Sequence, residues 1–225
     1  MKNGMLPILQ RLVFALSLVF ASVALAEPLN LSILKKEITA YHDSGFYEKE
    51  LACVINQAKA YLSSQIAINT RLGNKRKLAL VLDIDETSLS NYPRMAKRQF
   101  DGNKAQITQD IQAADAPAIN PTLALYTFAK QHGVDVFFVT GRSTALLQAT
   151  QKNLVKAGYN NWDGLFFKPN NYHQASIIPF KAETRKLIEQ KGYTIVASIG
   201  DQFSDIKGGY AQKGFKLPNP YYYLP

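Results

Sequence analysis

Apolar and polar positions divide the chain into a helical beginning and a longer stretch where short apolar runs alternate with helical patterns. Between residues 30 and 70, Leu31, Ile33 and Leu34, then Leu51, Val54 and Ile55, then Leu62 and Ile66 recur at helical spacings. Asp43-Ser44-Gly45 interrupts them and predicts a break between two helices. From residue 77 the pattern changes. Leu78 to Leu82 is a continuous apolar run, as expected of a strand buried on both faces. Val134 to Val139 and Tyr193 to Ile199 repeat it, and Leu165-Phe166-Phe167 is a shorter version. Helices are predicted between these runs: residues 121 to 132, with Asn120 as N-cap and Gly133 closing; Ser143 to Ala157, capped by Ser143 and ended by Gly158; and 180 to 191, ended by Gly192.

This alternation predicts an α/β fold, a Rossmann-like parallel sheet flanked by helices with right-handed crossovers, covered by an N-terminal helical layer. Residues 88 to 118 do not fit it. They hold Tyr92, Pro93, Phe100, Gly102 and Pro117 among polar residues and are long for a plain connection. Following the first strand directly, they are expected to form a small cap over the end of the sheet.

Composition narrows the class. Of 225 residues, 47% are hydrophobic and 19% charged, which excludes a disordered, collagenous or coiled-coil protein. One cysteine excludes a disulfide scaffold and a cysteine-rich metal site. The apolar neighbours of Cys53 predict a buried helix position, where a thiol behaves as a small hydrophobe. The net charge of +9 fits an anionic partner of some kind. The densest basic cluster, Arg71, Lys75, Arg76 and Lys77, has no interleaved aromatics and reads as a solvated loop, so no nucleic-acid partner is expected.

The N-terminus reads as a targeting segment. Lys2 and Arg11 precede an uncharged run from Leu12 to Leu25, which ends in Ala24-Leu25-Ala26 before Glu27. That is the layout of a secretory signal peptide over residues 1 to 26. As a helix the run would span about 21 Å, short of the roughly 30 Å hydrocarbon core of a bilayer. Its removal takes away Lys2 and Arg11 and no acid, leaving a net charge of +7. The mature chain, residues 27 to 225, is expected to be exported, periplasmic or secreted. No membrane anchor is expected after cleavage, because no cysteine stands at Glu27 to be acylated.

Ligands of parallel sheets sit outside the carboxyl ends of the strands, and the chemistry gathers there. After the first strand comes Asp83-Ile84-Asp85-Glu86-Thr87, after the second Thr140-Gly141-Arg142, and after the last Gly200-Asp201-Gln202-Phe203-Ser204-Asp205. Lys181 begins the helix leading into that last strand. Asp83 and Asp85, two residues apart, face one side of an extended segment, so one can attack while the other handles a proton. Asp201 adds a third charge, and three carboxylates in one crevice call for a hard divalent cation with oxygen ligands, Mg²⁺. Thr140 and the Gly141 N–H, at the entry to a helix, make a phosphate site. Lys181 can neutralise a phosphoryl oxygen and the attacking carboxylate.

Taken together, these segments resemble the haloacid dehalogenase (HAD) superfamily of phosphotransferases. More narrowly, they resemble its secreted acid phosphatase branch: bacterial class B and C acid phosphatases and plant acid phosphatase/vegetative storage proteins. Leu82 to Asn91, Gly200 to Asp205 and Phe215-Lys216-Leu217-Pro218-Asn219-Pro220 carry the narrower likeness. The resemblance implies that Asp83 is a nucleophile forming an aspartyl-phosphate. It implies that Asp85 is the acid and then the base, and that Thr87 holds the loop. Thr140, Gly141 and Lys181 would bind phosphate. Mg²⁺ would be held by the Asp83 carboxylate, the Asp85 backbone carbonyl and the Asp201 carboxylate, with Asp205 ligating through water or orienting the site.

The implied activity is hydrolysis of small phosphomonoesters. Nucleoside monophosphates are suggested by Tyr92, Phe100, Tyr221, Tyr222 and Tyr223, whose rings can stack a base. The alternative is a weakly active or inactive storage or binding protein on the same fold. Asp83 speaks against that, and Asp85 speaks against a dehalogenase. A histidine acid phosphatase needs Arg-His-Gly, where residues 131 to 133 read Gln-His-Gly; His132 is expected to cap a helix end instead.

Overall fold

The computed structural model describes residues 27–224, so the signal-peptide reading of residues 1–26 lies outside the described residues. The chain divides into two units at the boundary between Leu34 and Lys35. Residues 27–30 lead into helix α1 (Leu31–Asp43). Gly45, at φ 79°, makes the break expected at Asp43-Ser44-Gly45, in a left-handed conformation that glycine adopts without strain. Helix α2 (Phe46–Arg71) follows and supplies the expected N-terminal layer. Its Tyr47, Leu51, Ile55, Ala58 and Leu62 form one buried stripe in the main core. Cys53 is exposed, contrary to the sequence expectation. Two residues beyond Leu51, it lies about 200° around the helix from that stripe, so its apolar neighbours in sequence are not its neighbours in space.

The sheet has five strands: β1 (Lys77–Leu82), β2 (Asp135–Ser143), β3 (Gly164–Lys168), β4 (Tyr193–Gly200) and β5 (Lys213–Lys216). Their order is β3-β2-β1-β4-β5, and every pair is parallel. Leu82 stands opposite Phe138 on one side and Ile199 on the other. Side chains alternate between two cores. Leu78, Leu80 and Leu82 join α2, Leu125 of α5 (Asn120–Gln131) and Leu154 of α6 (Leu147–Lys156). Ala79 and Val81 join Phe137, Val139, Ile195 and Ile188 of α7 (Ile178–Gln190). Strand order turns back between β1 and β4, so the crevice that suits ligands opens where Asp83 and Asp201 leave their strands.

Several details depart from the sequence reading. The N-cap of α5 is Ile119, with no side-chain cap bond, and Asn120 and Pro121 lie inside the first turn. The helix expected from Ser143 starts later. β2 runs on through Ser143, a 3₁₀ turn covers Thr144–Leu146, and α6 begins at Leu147. Residues 88 to 118 contain two short helices, α3 (Tyr92–Lys97) and α4 (Lys104–Ala113). Asn103 and Gln106 form a capping box at the start of α4. Arg94 and Arg98 pair with Asp110 and so tie the two helices together. As expected, His132 caps α5, its Nδ1 lying 2.8 Å from the Phe128 carbonyl.

Candidate active site

The loop after β1 is a tight, hydrogen-bonded turn. Ser88 and Leu89 donate their N–H groups to the Ile84 carbonyl, and the Ser88 hydroxyl donates to the Asp83 carbonyl at 2.7 Å. Glu86 takes φ 50° within it, a conformation costly for a side-chain residue and sustained here by the surrounding bonds. The turn sends Asp83 to Lys181 and Thr87 to Asp201, while Asp85 and Glu86 share Asn91.

Lys181, in the first turn of α7, donates from Nζ to Asp83 Oδ1 at 2.7 Å and also to Asp205 Oδ1. All three side chains are almost fully buried. Burial alone works against the ammonium, but the charges of Asp205 and Asp83 outweigh it and hold the lysine pKa above its ordinary value. Asp205 Oδ2 accepts from the Gln202 N–H at 2.8 Å. A Cβ on Gly200 would come within 2.1 Å of the Asp205 carboxylate, so only glycine lets β4 end this close to it. Asp201 is bound on both oxygens: Oδ1 accepts from the Thr87 hydroxyl at 3.2 Å, and Oδ2 accepts from Gln202 Nε2 at 2.8 Å and Asn219 Nδ2 at 2.6 Å. Thr87 in turn accepts from the Asp201 N–H, tying the β1 and β4 loops together. Burial, and after it the charge of Asp205, pushes Asp201 above the usual carboxylate range.

Asp85 stands apart and is the most solvent-accessible of the four aspartates. The Arg142 guanidinium donates to both of its oxygens, at 3.0 Å from Nε and 2.7 Å from Nη2, and Asn91 Nδ2 adds a bond at 2.8 Å. Burial would raise the Asp85 pKa, but Arg142 overrides it and holds the carboxyl below its ordinary value. Glu86 is 1% exposed and accepts from the Asn91 N–H, Asn91 Nδ2 and the Tyr222 hydroxyl. Burial, with Asp85 and Asp201 adding to it, raises Glu86 to about 8.

The structure therefore brings Asp83, Lys181, Asp201 and Asp205 into one cluster and places Asp85 beside it through Arg142. Thr140 and Gly141 lie on β2 rather than at a helix entry, so the expected helix-terminus phosphate site is not formed there. Thr140 is fully buried, and its hydroxyl accepts from the Arg142 N–H at 3.1 Å, leaving its own hydrogen free to donate. A Cβ on Gly141 would meet nothing within 4 Å. The rim aromatics are mostly engaged with one another: Tyr92 and Tyr221 are buried, Phe100 stacks on Tyr221, and His42 stacks on Tyr92. Tyr223 alone of the five is strongly exposed. Sequence reasoning assigned no role to Arg142, Asn91, Glu86, Gln202 or Asn219. Each lies in or beside a quoted motif, which was the available signal, but Arg142 and Asn219 reach acids in other segments, and Glu86 is closed over by Tyr222 from the far end of the chain.

One oxygen each of Asp83, Asp201 and Asp205 lies within 4.8 Å of the others. Three buried carboxylates this close repel one another, and Lys181 offsets only part of their charge. The donors are hard oxygens, as a small divalent cation requires. The residues present fit such an ion, and the Asp85 side chain, held by Arg142, is not among the clustered groups.

Comparison with known proteins gives the family and the fold. The family model for subfamily IIIB (acid phosphatase) of the HAD superfamily matches residues 22–225. Acid phosphatase 1 of Solanum lycopersicum is 31% identical over 182 residues, which cover 79% of this chain and 69% of that protein. The stem 28 kDa glycoprotein of Glycine max is 36% identical over 154 residues, 66% of this chain and 61% of that one. The solved structure of the class C acid phosphatase from Bacillus anthracis matches with a TM-score of 0.69 at 22% identity, covering 85% of this chain and 87% of that chain. The latter likeness establishes the fold.

Proposed function

Because the chain belongs to subfamily IIIB of the HAD superfamily, the acid phosphatases, a family of phosphomonoester hydrolases, we propose that it hydrolyses small phosphomonoesters by two displacements on Asp83. The observation that carries this reading is the buried Asp83–Lys181–Asp205 group, with Asp201 beside it, at the point where strand order reverses. In the first displacement an Asp83 carboxylate oxygen bonds to phosphorus and the ester P–O bond breaks. Asp85, which takes up a proton only against the pull of Arg142, passes that proton to the departing alkoxide. In the second, Asp85 takes a proton from water as the water oxygen attacks phosphorus. The Asp83–phosphoryl bond breaks, inorganic phosphate leaves, and the carboxylate is restored. Two easier displacements replace one hard hydrolysis.

The other residues bind and orient. Lys181 fixes the plane of the Asp83 carboxylate and screens phosphoryl charge. The free Thr140 hydroxyl hydrogen and the unobstructed backbone at Gly141 suit phosphoryl oxygens. Mg²⁺, held by Asp83, the Asp85 backbone carbonyl and Asp201 with Asp205 beside them, would supply positive charge to the transferring group. Residues 88 to 118 serve as the cap, and nucleoside monophosphates are among the substrates; the mutual packing of Tyr92, Phe100 and Tyr221 leaves Tyr223 as the most exposed ring. Residues 1–26 direct export to the periplasm or the medium, and no described helix is long and apolar enough to cross a membrane.

Steady-state hydrolysis of an aryl phosphate, a nucleoside monophosphate and a sugar phosphate, each with Mg²⁺ and with chelator, tests this reading. Activity is expected only with the metal, with a loss of about 10³-fold or more in Asp83→Asn. Undiminished turnover by Asp83→Asn refutes the nucleophile, and no turnover of the nucleotide removes nucleoside monophosphates from the substrates.

A further inference from the structure

The segment after β5 is bound to the active-site acids at two places. Leu217 continues the β5 ladder by donating to the Gly200 carbonyl at 2.8 Å, which brings the chain alongside Asp201. Leu217 and Tyr221 are buried in the main core. Between them, Pro218 and Pro220 flank Asn219, restricting the backbone on both sides of it. The Asn219 side-chain oxygen accepts from the Tyr221 N–H at 2.8 Å, an Asx turn. That bond decides which way the amide faces, and its Nδ2 donates to Asp201 Oδ2 at 2.6 Å. The second donor to the same oxygen, Gln202 Nε2, is oriented by the same segment, because Gln202 Oε1 accepts from the Leu224 N–H at 3.2 Å. Two residues earlier, the Tyr222 hydroxyl donates to Glu86.

We propose that Asn219 is a positioning residue for the Asp201 carboxylate as a metal ligand, and that segment Leu217–Leu224 is thereby a working wall of the active site. The inference rests on the proposed function, in which Asp201 holds the cation. Its physical basis is the kind of donor used. Asp83 and Asp205 share a lysine, whose charge offsets theirs. Asp201 is fixed by two neutral amides and a hydroxyl, which hold its plane and leave its charge in place. Partners that orient a metal ligand in this way commonly change metal affinity by 10–100-fold when removed. A simple staple for the chain after β5 would instead affect stability and leave metal binding alone.

The test is Mn²⁺ binding, followed by loss of the free-ion EPR signal, for the unmodified protein, Asn219→Ser, Asn219→Leu and Asp201→Asn. Serine can still accept from the Tyr221 N–H but is too short to reach Asp201, so it keeps the turn and removes the bond; it carries the test should leucine prevent folding. Asn219→Ser is expected to weaken Mn²⁺ binding by about 10–100-fold. The Mg²⁺ concentration for half-maximal activity should rise by the same factor. KM for an aryl phosphate at saturating Mg²⁺ should stay within about twofold, as expected when substrate binding itself is untouched. Asn219→Ser binding Mn²⁺ as tightly as the unmodified protein overturns the inference, whatever its melting temperature, and leaves the proposed function standing. Asp201→Asn binding Mn²⁺ undiminished, or no binding by the unmodified protein, overturns the assignment of Asp201 and the inference with it.

Discussion

At the scale of single residues, the acids proposed to do the chemistry and the groups that hold them were unequally legible. Asp83, Asp85 and Asp201 declare themselves, because a strand followed at once by acids in a parallel sheet has few other uses. Arg142 does not, since nothing in Thr-Gly-Arg says that the guanidinium crosses to Asp85, 57 positions away. Glu86 shows the same limit: its burial comes from Asn91 and Tyr222 closing over it. That burial carries a pH consequence. The folded pKa of about 8 lies above the ordinary 4.5, so the proton Glu86 carries stabilises the fold fully below about 4.5, and this contribution is lost as pH rises through about 8. Urea unfolding in chelator, from pH 4.5 to pH 8, should show the unmodified protein losing more stability than Glu86→Gln over that interval. Parallel curves for the two proteins would contradict the assignment.

At the scale of elements, long periodic stretches were legible and short ones were not. Helix α2 and strands β1, β2 and β4 stand where apolar periodicity puts them. Strand β5, Lys213-Gly214-Phe215-Lys216, is four residues long with a glycine and two lysines, and it exists because the exposed edge of β4 pairs with it. Helices α3 and α4 were invisible because they rest on a capping box and Arg–Asp pairs more than on an apolar stripe. Helix α7 does more than present Lys181. One turn later, the fully buried Arg185 donates to the carbonyls of Asp205 at 2.9 Å, Gly209 at 2.8 Å and Lys207, bracing the loop that carries Asp205. Arg185→Met leaves those carbonyls without their charged donor, with an expected cost of about 3 kcal/mol or more. A urea midpoint unchanged by the substitution would show that the loop is braced otherwise.

At the scale of the molecule, topology does the assembling. Asp83 and Asp201 are more than a hundred residues apart, yet β1 and β4 are paired, Leu82 against Ile199, so their first residues beyond the sheet must meet. The crossover through α7 brings Lys181 to the same crevice, and β5 returns Asn219 to it. A sequence reading can foresee the meeting of strand ends from the alternation of elements. It cannot foresee which donors fill the remaining bonds, because those depend on how loops of different length pack.

In the proposed reaction one carboxylate of this crevice carries the phosphoryl group between the two displacements. Acid quenching during turnover of an aryl phosphate, borohydride reduction and peptide mass analysis test it directly. An aspartyl-phosphate is reduced to homoserine, so homoserine is expected at position 83, dependent on substrate and absent from Asp83→Asn. Aspartate intact at position 83 while turnover proceeds, or homoserine at another aspartate, would contradict it.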